Sequence, residues 1–220
     1  MNSPHLVCPE LPPFDATDLD AVMQAFQCAP GCVLGQSWLA VPETEFAPAS
    51  VWAGWRENAL FVFGKLTDTN IFTFATQPNE RLWELGDVLE IFLRPASQTA
   101  YSEFQVAPNN LQLQLRYANA AALARARKAN SIGEALVHPI SFHSRVWARP
   151  ERSCWHVLTE IPAAVAVDAP TALPDQTWHF SFCRYDYTRG SSHPIISSTS
   201  ALTQPDFHRL AEWGTLKFEP

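Results

Sequence analysis

Several things are scarce in this chain of 220 residues. No apolar run approaches the roughly 18 residues of a membrane-spanning helix. Basic residues are in the minority: 15 Lys and Arg against 22 Asp and Glu give a formal charge of −7, a field that repels phosphate backbones and argues against a nucleic-acid partner. The start, MNSPHLVCPELPPFD, lacks a basic segment followed by an apolar one, so no secretory signal is visible and a cytoplasmic setting is expected over a secreted one. Five cysteines leave at least one without an intrachain partner, and Cys28 and Cys32 form a lone C-x₃-C with no second pair for a metal. A reducing compartment fits that pattern. The seven histidines form no H-x-x-x-H motif.

What is abundant is apolar and aromatic. A hydrophobic fraction of 47% is ample for a packed core, which excludes wholesale disorder. Eight tryptophans exceed what such a core needs, so some are expected to meet a partner.

The chain reads as one domain, residues 33–220, with an N-terminal extension, residues 1–32, packed on it. Within the extension, Thr17 or Asp18 can cap a short helix ended by Pro30 and Gly31. Beyond Val51 the dominant period is two. ALFVFGKL (59–66), LQLQLRY (111–117), ISFHSRVW (140–147), WHVLTEI (155–161) and WHFSFCR (178–184) predict strands, separated by turn-rich pieces such as TQPNE and PASQT. AALARARKA (121–129) predicts a helix. The expected fold is all-β, an antiparallel sandwich resembling a jelly roll. Trp52 and Trp55 are expected to pack at the start of a strand, Trp147, Trp155 and Trp178 in the core, and Trp213 as an anchor for the last strand.

The stretch RLWELGDVLEIFLRP, running through a short loop into YSEFQVAP, sorts core from site. Antiparallel pairing with the turn between Ser97 and Gln98 sets Leu93 opposite Ser102, Ile91 opposite Phe104 and Leu89 opposite Val106, giving one apolar face. The other face carries Val88, Glu90 and Phe92 against Tyr101, Glu103 and Gln105, with Glu90 opposite Gln105. A one-residue slip would put the acids in the core. Such a face can be simply solvated. Its mixture of carboxylates, an amide and aromatic rings also suits a polyol, because a carboxylate accepts from two neighbouring hydroxyls and a ring offers a plate to a pyranose. Asp87 cannot share the face of Glu90 and is expected to fix the strand's entry or a loop.

LWELGDVLEIFL followed by YSEFQVAP resembles the central motif of family 9 carbohydrate-binding modules. KLTDTNI, WHVLTEIP, WHFSFCRYD and PDFHRLAEWGTLKF resemble further segments of that family in the same order, so the likeness spans about Val51 to Phe218. The resemblance implies a β-sandwich that binds a mono- or oligosaccharide without catalysis, between two aromatic side chains, with structural calcium. Trp83 falls on one aromatic of the clamp and Phe207 near the second, normally a tryptophan. Glu90 falls on a sugar-binding glutamate, and Glu103 and Gln105 on polar positions beside it. Tyr101 shares their face, and His208 adjoins Phe207. Ser181 replaces an asparagine of the family, Thr199 a tryptophan, and GQSWL keeps only the Trp38 end of an N-terminal segment.

Asp68 and Asp186 carry hard oxygen donors suited to calcium, or serve as turn residues. Arg184 can donate a fork to a sugar hydroxyl or pair with an acid. Two rival functions follow from the same residues. Glu90 and Glu103 could form a glycosidase pair, or the domain could be an interaction or sensor module whose sugar site has degenerated. A related sandwich family binds haem, but Met1 and Met23 both precede the strands, which disfavours a Met-ligated haem in the sandwich.

Overall fold

The computed structural model describes residues 3–166 and 172–220. Among them are twelve strands: β1 (His5–Cys8), β2 (Gly31–Val33), β3 (Ala49–Arg56), β4 (Ala59–Thr67), β5 (Val88–Pro95), β6 (Tyr101–Val106), β7 (Gln112–Tyr117), β8 (His143–Arg149), β9 (Cys154–Pro162), β10 (Thr177–Asp186), β11 (Ile195–Ser198) and β12 (Gly214–Phe218). They form two sheets. One runs β1-β12-β10-β5-β6-β7 with β11 paired to β10; the other runs β2-β3-β4-β9-β8. All pairings are antiparallel except β1 with β12. Two mostly antiparallel sheets packed face to face make the chain an all-β sandwich. No helix is long and apolar enough to cross a membrane among the described residues.

The hairpin register is the one the alternation demands. Leu89 pairs with Val106, Glu90 with Gln105, Ile91 with Phe104, Phe92 with Glu103 and Leu93 with Ser102. Leu89, Ile91 and Leu93 point into the inter-sheet core beside Phe104, Val62, Val157 and Phe180, and all are fully buried. Burial of each such aliphatic side chain contributes about 2 kcal/mol.

The structure departs from the sequence pattern in three places. Trp52 and Trp55 lie inside a strand, β3, which pairs with β4 along its whole length. Residues 1–32 contribute β1 to one sheet and β2 to the other, around α1 (Leu19–Ala25), whose start is capped by the Asp18 carboxylate accepting from Asp20 N at 3.0 Å. The face of β5 and β6 that carries Glu90 is covered. A second apolar cluster lies over it, built from Leu82, Phe92, Tyr101, Leu115, Tyr117, Leu123, Phe207 and Trp213. Much of that cover comes from α2 (Ala120–Ala129), after β7, and from the loop before β12. Asn119 caps α2 by accepting from Ala122 N, and Asn130 ends it in the left-handed conformation that Asn tolerates. All five cysteines are free thiols.

Candidate functional site

The site is built on a buried carboxyl–amide–carboxyl group. Gln105 Nε2 donates to Glu90 Oε1 at 2.7 Å and to Glu103 Oε1 at 2.5 Å. Glu90 and Glu103 are 3% exposed and Gln105 fully buried. Glu103 Oε2 and Gln105 Oε1 have no hydrogen-bond partner among the described residues. Burial, reinforced by the Glu103 charge, pushes the Glu90 carboxyl well above the carboxylate range. Burial pushes Glu103 up to about 7, opposed by the Gln105 hydrogen bond and the Arg127 charge. Glu90 therefore holds its proton, while Glu103 is poised to carry the charge of the pair.

Above these acids lies a cavity of about 340 Å³, at the small end of the range for ligand sites. Glu90 and Glu103 line it, with Trp83 and Phe207 on its sides. Trp83 sits on the single 3₁₀ turn Leu82–Glu84, which brings it to the same cavity lining as Glu90, and its backbone carbonyl accepts from the Tyr187 hydroxyl at 2.7 Å. The Arg81 guanidinium stands 5.9 Å from the centre of the Trp83 ring. Phe207 is only 4% exposed, set edge-on to Tyr185 and Phe92, and its carbonyl accepts from Trp213 Nε1 at 2.8 Å. Phe207 presents little free ring.

His208 also lines the cavity, and Tyr101 stands behind it, its hydroxyl 2.8 Å from His208 Nδ1. His208 Nε2 lies 3.9 Å from Glu103 Oε2. Burial and the Arg127 charge hold the imidazole down to about 4 against the opposing pull of Asp206, so at neutral pH this contact joins a neutral ring to the acid and is no ion pair.

The roof is α2, through Leu123, Ala126 and Arg127. Arg127 clasps Asp206 with two hydrogen bonds, 2.7 and 3.2 Å, and Arg81 Nη1 reaches Asn130 Oδ1 at 2.9 Å. Sequence reasoning found the helix but not its position, because nothing in AALARARKA says which face of the sandwich it crosses. Arg81, Arg127, Asp206 and Tyr117 were missed for that reason. Helical spacing could have flagged Leu123, Ala126 and Arg127 as one side of a turn.

Arg184 is a correction. It is 1% exposed and lies outside the cavity lining, where the Thr67 carbonyl accepts from it at 2.8 Å. Its Nη2 sits 3.1 Å from Asp68 Oδ2 and 3.0 Å from Asp186 Oδ2. Asp87 completes this cluster: carboxylate oxygens of Asp68, Asp87 and Asp186 fall within 4.8 Å of one another. Asp87 accepts from Phe72 N at 2.7 Å and Tyr187 N at 2.8 Å, pinning two loops at the strand's entry. Gly86 makes this approach feasible; at φ +146° a Cβ would stand 2.6 Å from the Phe72 carbonyl oxygen. Burial and the Asp68 charge raise Asp87 to about 8, and burial raises Asp186 to about 6 against the pull of Arg184. The three carboxylates offer hard oxygen donors close enough together to share a cation, and Arg184 brings one positive charge to two of them.

Ser181 stands apart from the cavity in a buried hydroxyl cluster with Ser198 and Ser200, at 2.9 and 2.8 Å. Thr199 Oγ1 accepts from Phe182 N at 3.0 Å.

The sandwich is similar in fold to solved structures described as carbohydrate-binding. A candidate carbohydrate-binding protein from Bacteroides uniformis aligns over 99% of this chain and 100% of its own, with a TM-score of 0.73 and 16% identity. A family 9 carbohydrate-binding module from Caldicellulosiruptor kristjanssonii, solved with cellotriose, aligns over 98% of this chain and 94% of its own, at a TM-score of 0.62 and 14% identity. A glucose complex of a family 9 module from the same organism gives 0.57 and 16%, over 97% of this chain and 94% of its own. The chain thus has a family 9-like fold. No protein-family profile and no curated relative matches the sequence.

Proposed function

We propose that this protein is a non-catalytic carbohydrate-binding module whose ligand occupies the cavity beneath α2. The observation that carries the reading is the buried, unpartnered Glu103 Oε2 at the foot of a cavity walled by Trp83. An unpaired buried carboxyl oxygen costs about 1–3 kcal/mol or more, and a sugar hydroxyl relieves it. Glu103 accepts one hydroxyl, Glu90 a neighbouring one, and Gln105 holds both acids in register from behind. Trp83 stacks on the C–H face of the ring, and Phe207 limits its depth. The fold shared with modules solved with cellotriose and glucose supports this assignment.

A glycosidase reading is disfavoured. Its two carboxyls would have to flank the scissile bond, whereas Glu90 and Glu103 sit side by side on the floor, both hydrogen-bonded to one amide. We read the Asp68–Asp87–Asp186 cluster as a structural knot, partly offset by the Arg184 charge and by the raised proton affinity of Asp87.

Calorimetry with glucose, cellobiose, xylobiose and galactose tests the proposal. Saturable binding of at least one sugar at millimolar concentration is expected. No binding of any of them would point instead to an interaction module with a degenerate site.

A further inference from the structure

A second cavity, of about 820 Å³, opens on the other sheet beside α1. Strand pairing explains its lining. Lys65 and Trp147 are both direct neighbours of His156, on β4 and β8 respectively, so the three form one row across the outer face. Two residues along, Thr67, Cys154 and Arg149 form the next row. Arg152 joins them from the turn between β8 and β9. Phe61, Phe63 and Leu158 of the same face are covered by α1, which stops short of the Lys65–His156–Trp147 row.

Two features of this place do not belong to a plain solvated face. His156 is 6% exposed, stacked on Phe63 at 5.9 Å, and its Nδ1 has no hydrogen-bond partner among the described residues. Lys65, Arg149 and Arg152 have no acid within ion-pair distance among the described residues, in a chain whose formal charge is −7. Trp147, expected in the core, is instead half-exposed at this cavity.

We infer that this cavity is a second ligand site, which takes a doubly charged oxyanion of the phosphate class between Lys65, Arg149 and Arg152, with His156 beneath it and Trp147 as an apolar wall. Charge-assisted bonds from two guanidinium forks match a tetrahedral dianion better than a single carboxylate. Acids do line the same cavity: Asp18 and Asp20 at the start of α1, and Glu151 in the turn. After burial, the charges that lower the proton affinity of the histidine are those of Lys65, Arg149 and Arg152. The ring is held down to about 4. An anion seated among the three cations cancels that field and lets the ring regain a proton.

The experiment uses the full chain at low ionic strength, titrated with inorganic phosphate and sulfate, and with chloride at matched ionic strength and acetate as controls. Trp147 fluorescence and calorimetry read binding. Phosphate and sulfate are expected to saturate with a Kd near or below about 1 mM, and Arg149→Ala/Arg152→Ala to weaken both by about tenfold with an unchanged thermal midpoint. Sulfate keeps its two charges across the relevant range, so it is the probe for the proton: the His156 C2–H resonance should titrate at higher pH when sulfate is bound. The inference is overturned if neither dianion saturates by about 10 mM, if chloride or acetate gives the same signal, or if the double variant binds as the wild type does. Sugar binding at the α2 cavity is read separately on the same variant and is expected to be unchanged, so failure of either site leaves the other standing.

Discussion

Gln105 and Glu90 face each other across the β5–β6 ladder, and the amide of one donates to the carboxyl of the other at 2.7 Å, both side chains buried at the cavity floor. Because the same Nε2 also serves Glu103, one side chain organises both acids of the cavity floor. Replacing it leaves two buried carboxyls without their shared donor. Gln105→Leu is expected to lower stability by about 2 kcal/mol or more, measured by urea denaturation. A variant as stable as the wild type would show that the amide bridge contributes nothing.

Stability should depend on pH through Glu103. Its folded pKa, about 7, lies above the ordinary 4.5. Between those values the folded protein keeps a proton that the unfolded chain has released, so this group's contribution is fully present below about 4.5 and declines as pH rises toward 7. Asp186 and Asp87, also raised, act in the same direction. Glu103→Gln removes the Glu103 part, together with the share of the Glu90 rise that comes from the Glu103 charge. Unfolding free energies at pH 4.5 and 7.5 should show a smaller loss in the variant than in the wild type, by roughly 1–3 kcal/mol.

Trp83 is half-buried on a turn, and its side chain carries the ligand's apolar face in the proposed site. Trp83→Ala should weaken sugar binding at least about tenfold, the equivalent of about 1.4 kcal/mol, with the fold retained by near-ultraviolet dichroism. Unchanged sugar affinity would remove Trp83 from the site.

The Arg127–Asp206 clasp ties the roof to the loop that carries Phe207. Both partners are substantially exposed, so the pair itself adds only about 0.2–1 kcal/mol to stability. Its effect should appear in kinetics. Arg127→Ala is expected to speed sugar dissociation several-fold, seen by stopped flow, while the thermal midpoint moves little.

Arg184 is buried between Asp68 and Asp186. Arg184→Met leaves three acids without a counter-charge and should cost about 3–5 kcal/mol. In the wild type, by contrast, the thermal midpoint should be equal in EDTA and in millimolar calcium. A clear rise with calcium would reassign the cluster as an ion site.

The sequence by itself determined the hairpin. Alternation admits one register for VLEIFL against YSEFQV that keeps Leu89, Ile91 and Leu93 together and the acids apart from them, since a slip by one residue exchanges the faces. It also located the helix, read as residues 121–129 and observed at Ala120–Ala129, because strong helix formers act locally. Only the tertiary structure decided what covers the acids. A strand's period of two distinguishes its two faces, but both β5 faces are buried here, one by the opposing sheet and one by α2 and the Phe207 loop. That cover turns an expected open sheet face into the floor of a half-open cavity, and desolvation there raises Glu90 and Glu103. The same limit applies to Arg184, which meets Asp68 across 116 residues of sequence, and to Lys65, His156 and Arg149, brought together by strand pairing alone. Local chemistry sets which residues share a strand face; long-range packing sets what that face meets, and the candidate sites are made at those meetings.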